Sequence, residues 1–315
     1  MVTGAAGFIG SHFVEYVLEN HPEDQVIGFD CLTYAGNMKN LELALPNKKF
    51  EFVKGDIRNY DEVDPIVARV DAIVNFAAET HVDRSISRSS EFISTNVLGL
   101  NVLLESALKH QTLIFHQIST DEVYGSVETG FSTEKDRLNP RSPYAASKAS
   151  ADLIVEAFRI THGLNTRITR ASNNYGTRQF PEKLIPLFIE KILKKEKVPV
   201  YGNGENVRDW LDVRDHVYAL NLVLRGNLVN HIYNIGGNVL LKNIEVTRLI
   251  LSEFKLDNSA IEFIPDRKGH DFRYALDSSL LKRETGFQCR YLLTSEIKNL
   301  VKWYKYNYFT PNQKA

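Results

Sequence analysis

The chain has 315 residues, 43% of them hydrophobic, enough to bury a large core and to enclose a ligand between two lobes. Its 38 basic and 39 acidic side chains nearly cancel, so no net field favours nucleic acid or an anionic membrane. Cys31 and Cys289 form neither a CxxC pair nor a zinc spacing, and no apolar run approaches membrane-spanning or signal-peptide character. The expectation is a soluble, cytoplasmic protein that works on a small molecule without a metal.

Taken in chain order, Gly4-Ala5-Ala6-Gly7-Phe8-Ile9-Gly10 opens the first helical pattern. Asp30 lies 20 residues beyond Gly10, at the end of the next predicted strand. Glycines at this spacing let the backbone approach a pyrophosphate at a helix amino terminus, and the acid can accept from the ribose hydroxyls of NAD while repelling a 2′-phosphate. The alternative is an ordinary glycine turn with a surface aspartate. Only Met1, Val2 and Thr3 precede Gly4, fewer than the five or so residues typical of a strand. Either a start lies upstream or the first strand is unusually short.

Apolar runs at Gln25 to Phe29, Lys49 to Val53, Ala72 to Phe76, Leu113 to Ile118 and Thr166 to Arg170 read as strands, with amphipathic stretches between them. That alternation predicts a Rossmann-type, doubly wound parallel sheet, because each parallel pair needs a crossover that is usually helical. The fourth of these runs, Leu113 to Ile118, leads into Ser119-Thr120-Asp121-Glu122-Val123-Tyr124-Gly125, which puts polar groups at a carboxyl strand end, where open α/β sheets hold their ligands. An adjacent Asp-Glu pair is otherwise compatible with a solvated loop.

Tyr144-Ala145-Ala146-Ser147-Lys148 sets a phenol and an ammonium one helical turn apart. Such a lysine, with a positive nicotinamide ring, would stabilise the phenolate and make Tyr144 a base near neutrality. Alone, the pattern is equally a surface tyrosine beside a solvated lysine. From Ala145 to Ile160 apolar residues cover more than one helical face, as in a helix buried on two sides, one against the sheet and one against a partner or another part of the same chain. After Asn174 the rhythm turns irregular, with Pro181, Pro186 and Pro199, a Tyr201 to Gly204 turn, and apolar strands near Trp210, Ile232 and Ile261. The expected organisation is an NAD-binding domain over residues 1–175 and a smaller substrate-binding lobe over 176–315, some of whose segments return to the first domain.

At these motifs the chain resembles the dTDP-glucose 4,6-dehydratase family of extended short-chain dehydrogenases, from Val2 to about Asp277. The resemblance is carried by Leu32 to Asn37, Ala77 to Ser85, Ser119 to Gly125, Ser172 to Gly176, Phe180 to Pro186, Arg208-Asp209-Trp210 and Asp266 to Asp271. It implies oxidation at C4 of the sugar, loss of water across C5 and C6, and return of the hydride to C6 from the same NAD, in deoxysugar biosynthesis. Tyr144 would serve as C4 base with Lys148, Thr120 would hold the C4 oxygen, Asp121 would be the acid and Glu122 the C5 base. The paired acids separate such dehydratases from related 4-epimerases. A UDP-glucose dehydratase, a 4-epimerase and a silent NAD-binding scaffold remain the rival readings.

The same resemblance implies that Asp30, Leu32 and Thr33 touch the adenosine of NAD, that Asp56 and Ile57 flank the adenine, that Ala77, Ala78 and Thr95 line the cofactor, and that Asn174 lies near the nicotinamide. For the sugar nucleotide it implies His81, Asn173, Glu182, Lys183 and Leu184, then Pro199, Val200 and Tyr201, then Arg208 and Asn243, and the loop with Asp266, Arg267 and His270. Arg and Lys suit a diphosphate by bidentate bonding and point charge respectively. Family members form homodimers. Cys31, Thr177-Arg178, Lys268 and Phe272 depart from the usual Lys, Pro-Tyr, Pro and Arg, and Thr177-Arg178 and Lys268 are expected to border the nucleotide.

Overall fold

The structure is a computed structural model that describes residues 1–267 and 269–309. Its strands in chain order are β1 (Val2–Thr3), β2 (Val26–Asp30), β3 (Phe50–Lys54), β4 (Ala72–Asn75), β5 (Ile114–Thr120), β6 (Thr166–Ala171), β7 (Asn173–Tyr175), β8 (Val198–Tyr201), β9 (Val207–Asp212), β10 (Ile232–Ile235), β11 (Leu240–Lys242) and β12 (Ile261–Ile264). Each of the five apolar runs read as a strand becomes one, shifted by no more than two residues at either end. Seven strands form a parallel sheet in the order β10-β6-β5-β4-β1-β2-β3. The order reverses beside β1, and this opens a crevice at the carboxyl ends of β1 and β4.

β1 is only two residues long, yet it is central. Val2 and Thr3 pair with Gly28 and Phe29 on one side and with Val74 and Asn75 on the other. Thr3 also donates through Oγ1 to Asn75 Oδ1 at 2.5 Å, so a side-chain bond within the sheet supplements the short ladder.

The helix Pro143–His162 has clear stop signals. Ser142 accepts from the Ala145 N–H at 3.1 Å, Pro143 occupies the first turn, and Gly163 closes the helix at φ 70°. It buries Tyr144, Lys148 and Asp152 along one face, at successive i, i+4 positions. The face carrying Leu153 and Ile160 is 62% and 67% exposed, so this chain does not cover the helix on both sides. Ile93 and Leu98, in the segments that pack against this helix, are exposed as well.

The C-terminal half has a core of its own, in which Tyr175, Phe188, Trp210, Ile250 and Leu300 take part. It surrounds two small sheets, β11-β9-β7 and β12-β8. The segment at Ile232 does not join them: β10 pairs with β6 and completes the large sheet.

Candidate active site

The phosphate cradle is made by backbone. Gly4 sits at φ 63°, and a Cβ there would lie 2.8 Å from the Ala77 nitrogen; one on Gly10 would lie 2.2 Å from the Gly4 carbonyl. Gly7 is the N-cap of the helix Phe8–Asn20 and provides no side-chain cap, so first-turn N–H groups face the crevice. Asp30 accepts from the Ala6 N–H at 3.0 Å and the Leu32 N–H at 2.8 Å, which fixes its carboxylate at the end of β2. Burial pushes Asp30 upward and the two backbone bonds oppose that. A cavity of about 700 Å³ runs from this cradle to the end of β5. Its shape and donors fit NAD, with the glycine loop for the pyrophosphate and Asp30 at the ribose.

The reactive groups stand at the far end of that cavity. Thr120 ends β5 and donates to Asp121 Oδ1 at 3.1 Å, while its Oγ1 accepts from the Glu122 N–H at 3.3 Å. The Thr120 hydroxyl also favours the Tyr144 phenolate, against the rise that burial causes. Asp121 is buried, and its Oδ2 has no partner among the described residues. Burial, and then the neighbouring Glu122 charge, pushes Asp121 well above the usual carboxylate range, which favours the protonated acid. Burial raises Glu122 too, but the cations Lys183, Arg208 and Arg267 pull it back toward the ionised form. One acid is therefore tuned to give a proton and the other to take one.

Tyr144 and Lys148 do not behave as the spacing alone suggests. Burial drives the phenol well above its ordinary value, with the Glu122 and Asp121 charges adding to the rise. Lys148 Nζ donates instead to the Ile118 carbonyl at 2.6 Å, and burial lowers the ammonium to about 8, opposed by Asp152. The lysine thus does not by itself depress the phenol.

A second cavity, about 410 Å³, adjoins the first, and both are lined by Thr80, Glu122, Asn173, Glu182 and Lys183. Its walls are clamped side chains. Arg267 binds both oxygens of Asp83, at 2.6 and 3.1 Å, and lies over the Tyr201 ring. Arg208 donates to His270 Nε2 at 3.0 Å, and His270 Nδ1–H donates to Asp266 at 2.6 Å.

Most of the expected site residues meet at these cavities. The first is lined by Gly4, Gly7, Phe8, Ile9 and Gly10, by Asp30, Thr33, Asp56 and Ile57, by Ala77, Ala78 and Thr95, and by Asn174 with the five reactive residues. The second is lined by His81, Asn173, Glu182, Lys183 and Leu184, by Pro199, Val200 and Tyr201, and by Arg208, Asn243, Arg267 and His270. Two expected residues line neither. Leu32 stands at φ 55° with its N–H turned to Asp30 and its side chain against the core, and Asp266 stays outside as the partner of His270. Thr177 and Arg178 border the first cavity's loop and not the second cavity: Thr177 bonds His12, and Arg178 forks onto Glu15. Lys268 lies outside the described residues.

Sequence reasoning missed His216. It is fully buried, lines the first cavity and donates from Nδ1 to Asn174 Oδ1 at 2.8 Å; burial lowers it to about 3, so it stays neutral. Tyr274 and Asp271 also border the second cavity. Asp271 ends the Asp266 to Asp271 segment already singled out, whereas no local motif marks His216 or Tyr274, which reach the site by tertiary packing.

A Rossmann-type sheet with a glycine cradle, a Tyr-Lys helix and an adjacent acid pair in the cavity defines an enzyme of the extended short-chain dehydrogenase class. Residues 1–300 match the model of the GDP-mannose 4,6 dehydratase family, and the chain belongs to that family. It is 47% identical to a dTDP-glucose 4,6-dehydratase of Actinoplanes sp., with 98% of each chain covered. It is 52% identical to the low-salt glycan biosynthesis protein Agl12 of Haloferax volcanii, over 90% of this chain and 91% of that one. Among solved structures it is similar to DesIV, a dTDP-glucose 4,6-dehydratase of Streptomyces venezuelae with NAD bound, at TM-score 0.95 and 46% identity over 97% and 96% of the two chains.

Proposed function

We propose that this protein is an NAD-dependent hydro-lyase that converts dTDP-glucose to dTDP-4-keto-6-deoxy-glucose and water. The observation that carries the reading is the unequal pair of acids, buried Asp121 and half-buried Glu122, set beside Tyr144 where the two cavities meet. A simple oxidoreductase or an epimerase needs no such pair.

NAD, held by the glycine loop and Asp30, would supply a positive ring and a carrier for the C4 hydrogen and its electron pair, which C6 later receives. Tyr144 receives the C4 hydroxyl proton as that carbon becomes a ketone, and Thr120 holds the oxygen. The ketone acidifies C5, whose proton passes to Glu122. The C6–O bond then breaks, and Asp121 protonates the departing hydroxyl to give water. Glu122 returns its proton to C5 as C6 gains the hydride. The cycle closes when the proton gained by Tyr144 passes to Asp121, which has lost one and accepts from the Thr120 hydroxyl. Lys148 anchors the helix end to β5 through the Ile118 carbonyl and adds positive charge.

In this reading the first cavity holds NAD and the second holds the sugar diphosphate, with Lys183, Arg208 and Arg267 toward the diphosphate. Residues 1–175 form the cofactor domain, and 176–315 chiefly the substrate lobe. The exposed Leu153–Ile160 face supports a homodimer in which a second copy covers it. The cytoplasm is the proposed compartment. Both cysteines are free, and no helix among the described residues is long and apolar enough to cross a membrane.

The test is incubation of the NAD-supplemented protein with dTDP-glucose and, separately, UDP-glucose, with mass spectrometry for a product one water lighter. Dehydration of the dTDP sugar supports the proposal. Dehydration of the UDP sugar alone overturns the nucleotide, and C4 inversion without water loss overturns the reaction.

A further inference from the structure

Behind the reactive groups lies a buried ionic network that the reaction steps above do not use. Arg170, on β6, is 4% exposed. Its Nε donates to Asp152 Oδ2 at 2.9 Å, and its Nη1 donates to the Tyr124 hydroxyl at 2.7 Å. The guanidinium also lies over the Tyr124 ring, 4.9 Å from the centroid. Tyr124 passes the chain of bonds on, donating to Asn234 Oδ1 at 2.9 Å on β10.

The positions of these partners matter. Asp152 is one turn beyond Lys148 and two beyond Tyr144 on the same buried helix face. Tyr124 belongs to the 3-10 turn Asp121–Tyr124, which carries both acids. One guanidinium therefore joins the helix that holds the phenol and ammonium to the turn that holds the two carboxylates. We infer that Arg170 is a positioning residue for this reaction, a clamp that fixes the distance between the oxidation groups and the elimination groups by holding Asp152 with one edge and Tyr124 with the other.

The inference rests on the dehydratase reading. A buried arginine is suited to this task because its planar fork binds two partners in a fixed geometry. A lysine point charge would keep the Asp152 pair but lose the second arm. Misplacement of a reacting group by about 1 Å can cost on the order of 100-fold in rate. The C4 oxidation depends on the helix, whereas the elimination needs helix and turn together, so loss of the clamp should slow elimination more.

The variant Tyr124→Phe removes the turn-side arm and leaves the Arg170–Asp152 pair. Arg170→Lys tests the same arm from the other side. With wild-type protein shown first to dehydrate dTDP-glucose, the expected result for both is kcat lower by about 10- to 100-fold, KM little changed, and reduced nicotinamide accumulating in single turnover, seen by absorbance, because oxidation outruns elimination. A purely structural role would lower the melting temperature and slow both steps alike, which overturns the inference. Unchanged kcat and no accumulation in a folded Tyr124→Phe protein overturns it too. If the wild-type protein dehydrates neither sugar nucleotide, the underlying reading has failed and not the clamp.

Discussion

The two cavities are built by different means. The first is shaped by backbone: a glycine loop, strand ends and a helix terminus, with two alanines where the chain passes closest. The second is shaped by long charged side chains from segments far apart in sequence, held in place by one another, as Arg267 is by Asp83 and Arg208 by His270. A backbone site tolerates almost no added atoms, whereas a side-chain site loses affinity one contact at a time.

The sharpest way to break this contrast is Gly10→Ala. Its Cβ would sit 2.2 Å from the Gly4 carbonyl, so the loop must move, and NAD affinity measured by calorimetry should fall on the order of 100-fold. An unchanged affinity would mean that the cradle yields, contrary to a backbone-built site. Arg267→Ala is the matching change in the second cavity. It should raise KM for the sugar nucleotide by about 10- to 100-fold and leave NAD affinity within about 2-fold. Equal losses in both ligands would show that the halves are not independent.

Acid offers a third probe. His12, His116 and His216 are buried, the last of them lining the first cavity, and are each lowered to about 3, mainly by desolvation. Between pH 6.5 and 3 the unfolded chain binds protons that the folded chain refuses, so stability falls as pH drops through 6.5. Each histidine contributes about 1.4 kcal/mol per pH unit across that window. Melting curves from pH 7.5 to 5.5 should show the decline, and His216→Gln should flatten it. The smallest effect belongs to Cys31→Lys. Cys31 lines the first cavity, where the charges of Asp30 and Asp56 help burial to raise its thiol. A lysine there should tighten NAD binding only about 2- to 5-fold at low salt.

The contrast also explains what could be read in advance. The parallel sheet was legible because apolar runs of strand length alternate with helical patterns, and the cradle because a close backbone approach demands glycine at set intervals. The Tyr144–Lys148 spacing was legible as a neighbour relation on a helix. Its electrostatics were not: Lys148 turns to the Ile118 carbonyl, and Tyr144 feels Glu122 and Asp121 from another element. Leu32 and Asp266 are expected at the site by their position in motifs; Leu32 stands at φ 55°, Asp266 bonds His270, and neither lines a cavity.

The sequence by itself determined that five apolar runs become strands of a parallel sheet, where the glycine turn lies and which residues can do acid–base work, because these follow from periodicity, backbone freedom and side-chain chemistry. The tertiary structure alone decided that Asp121 is the more strongly raised acid, that His216 stands behind Asn174, and that Arg170 ties the helix to the turn. Burial and the distance between charges set these properties, and both come into being only when segments remote in the chain pack together.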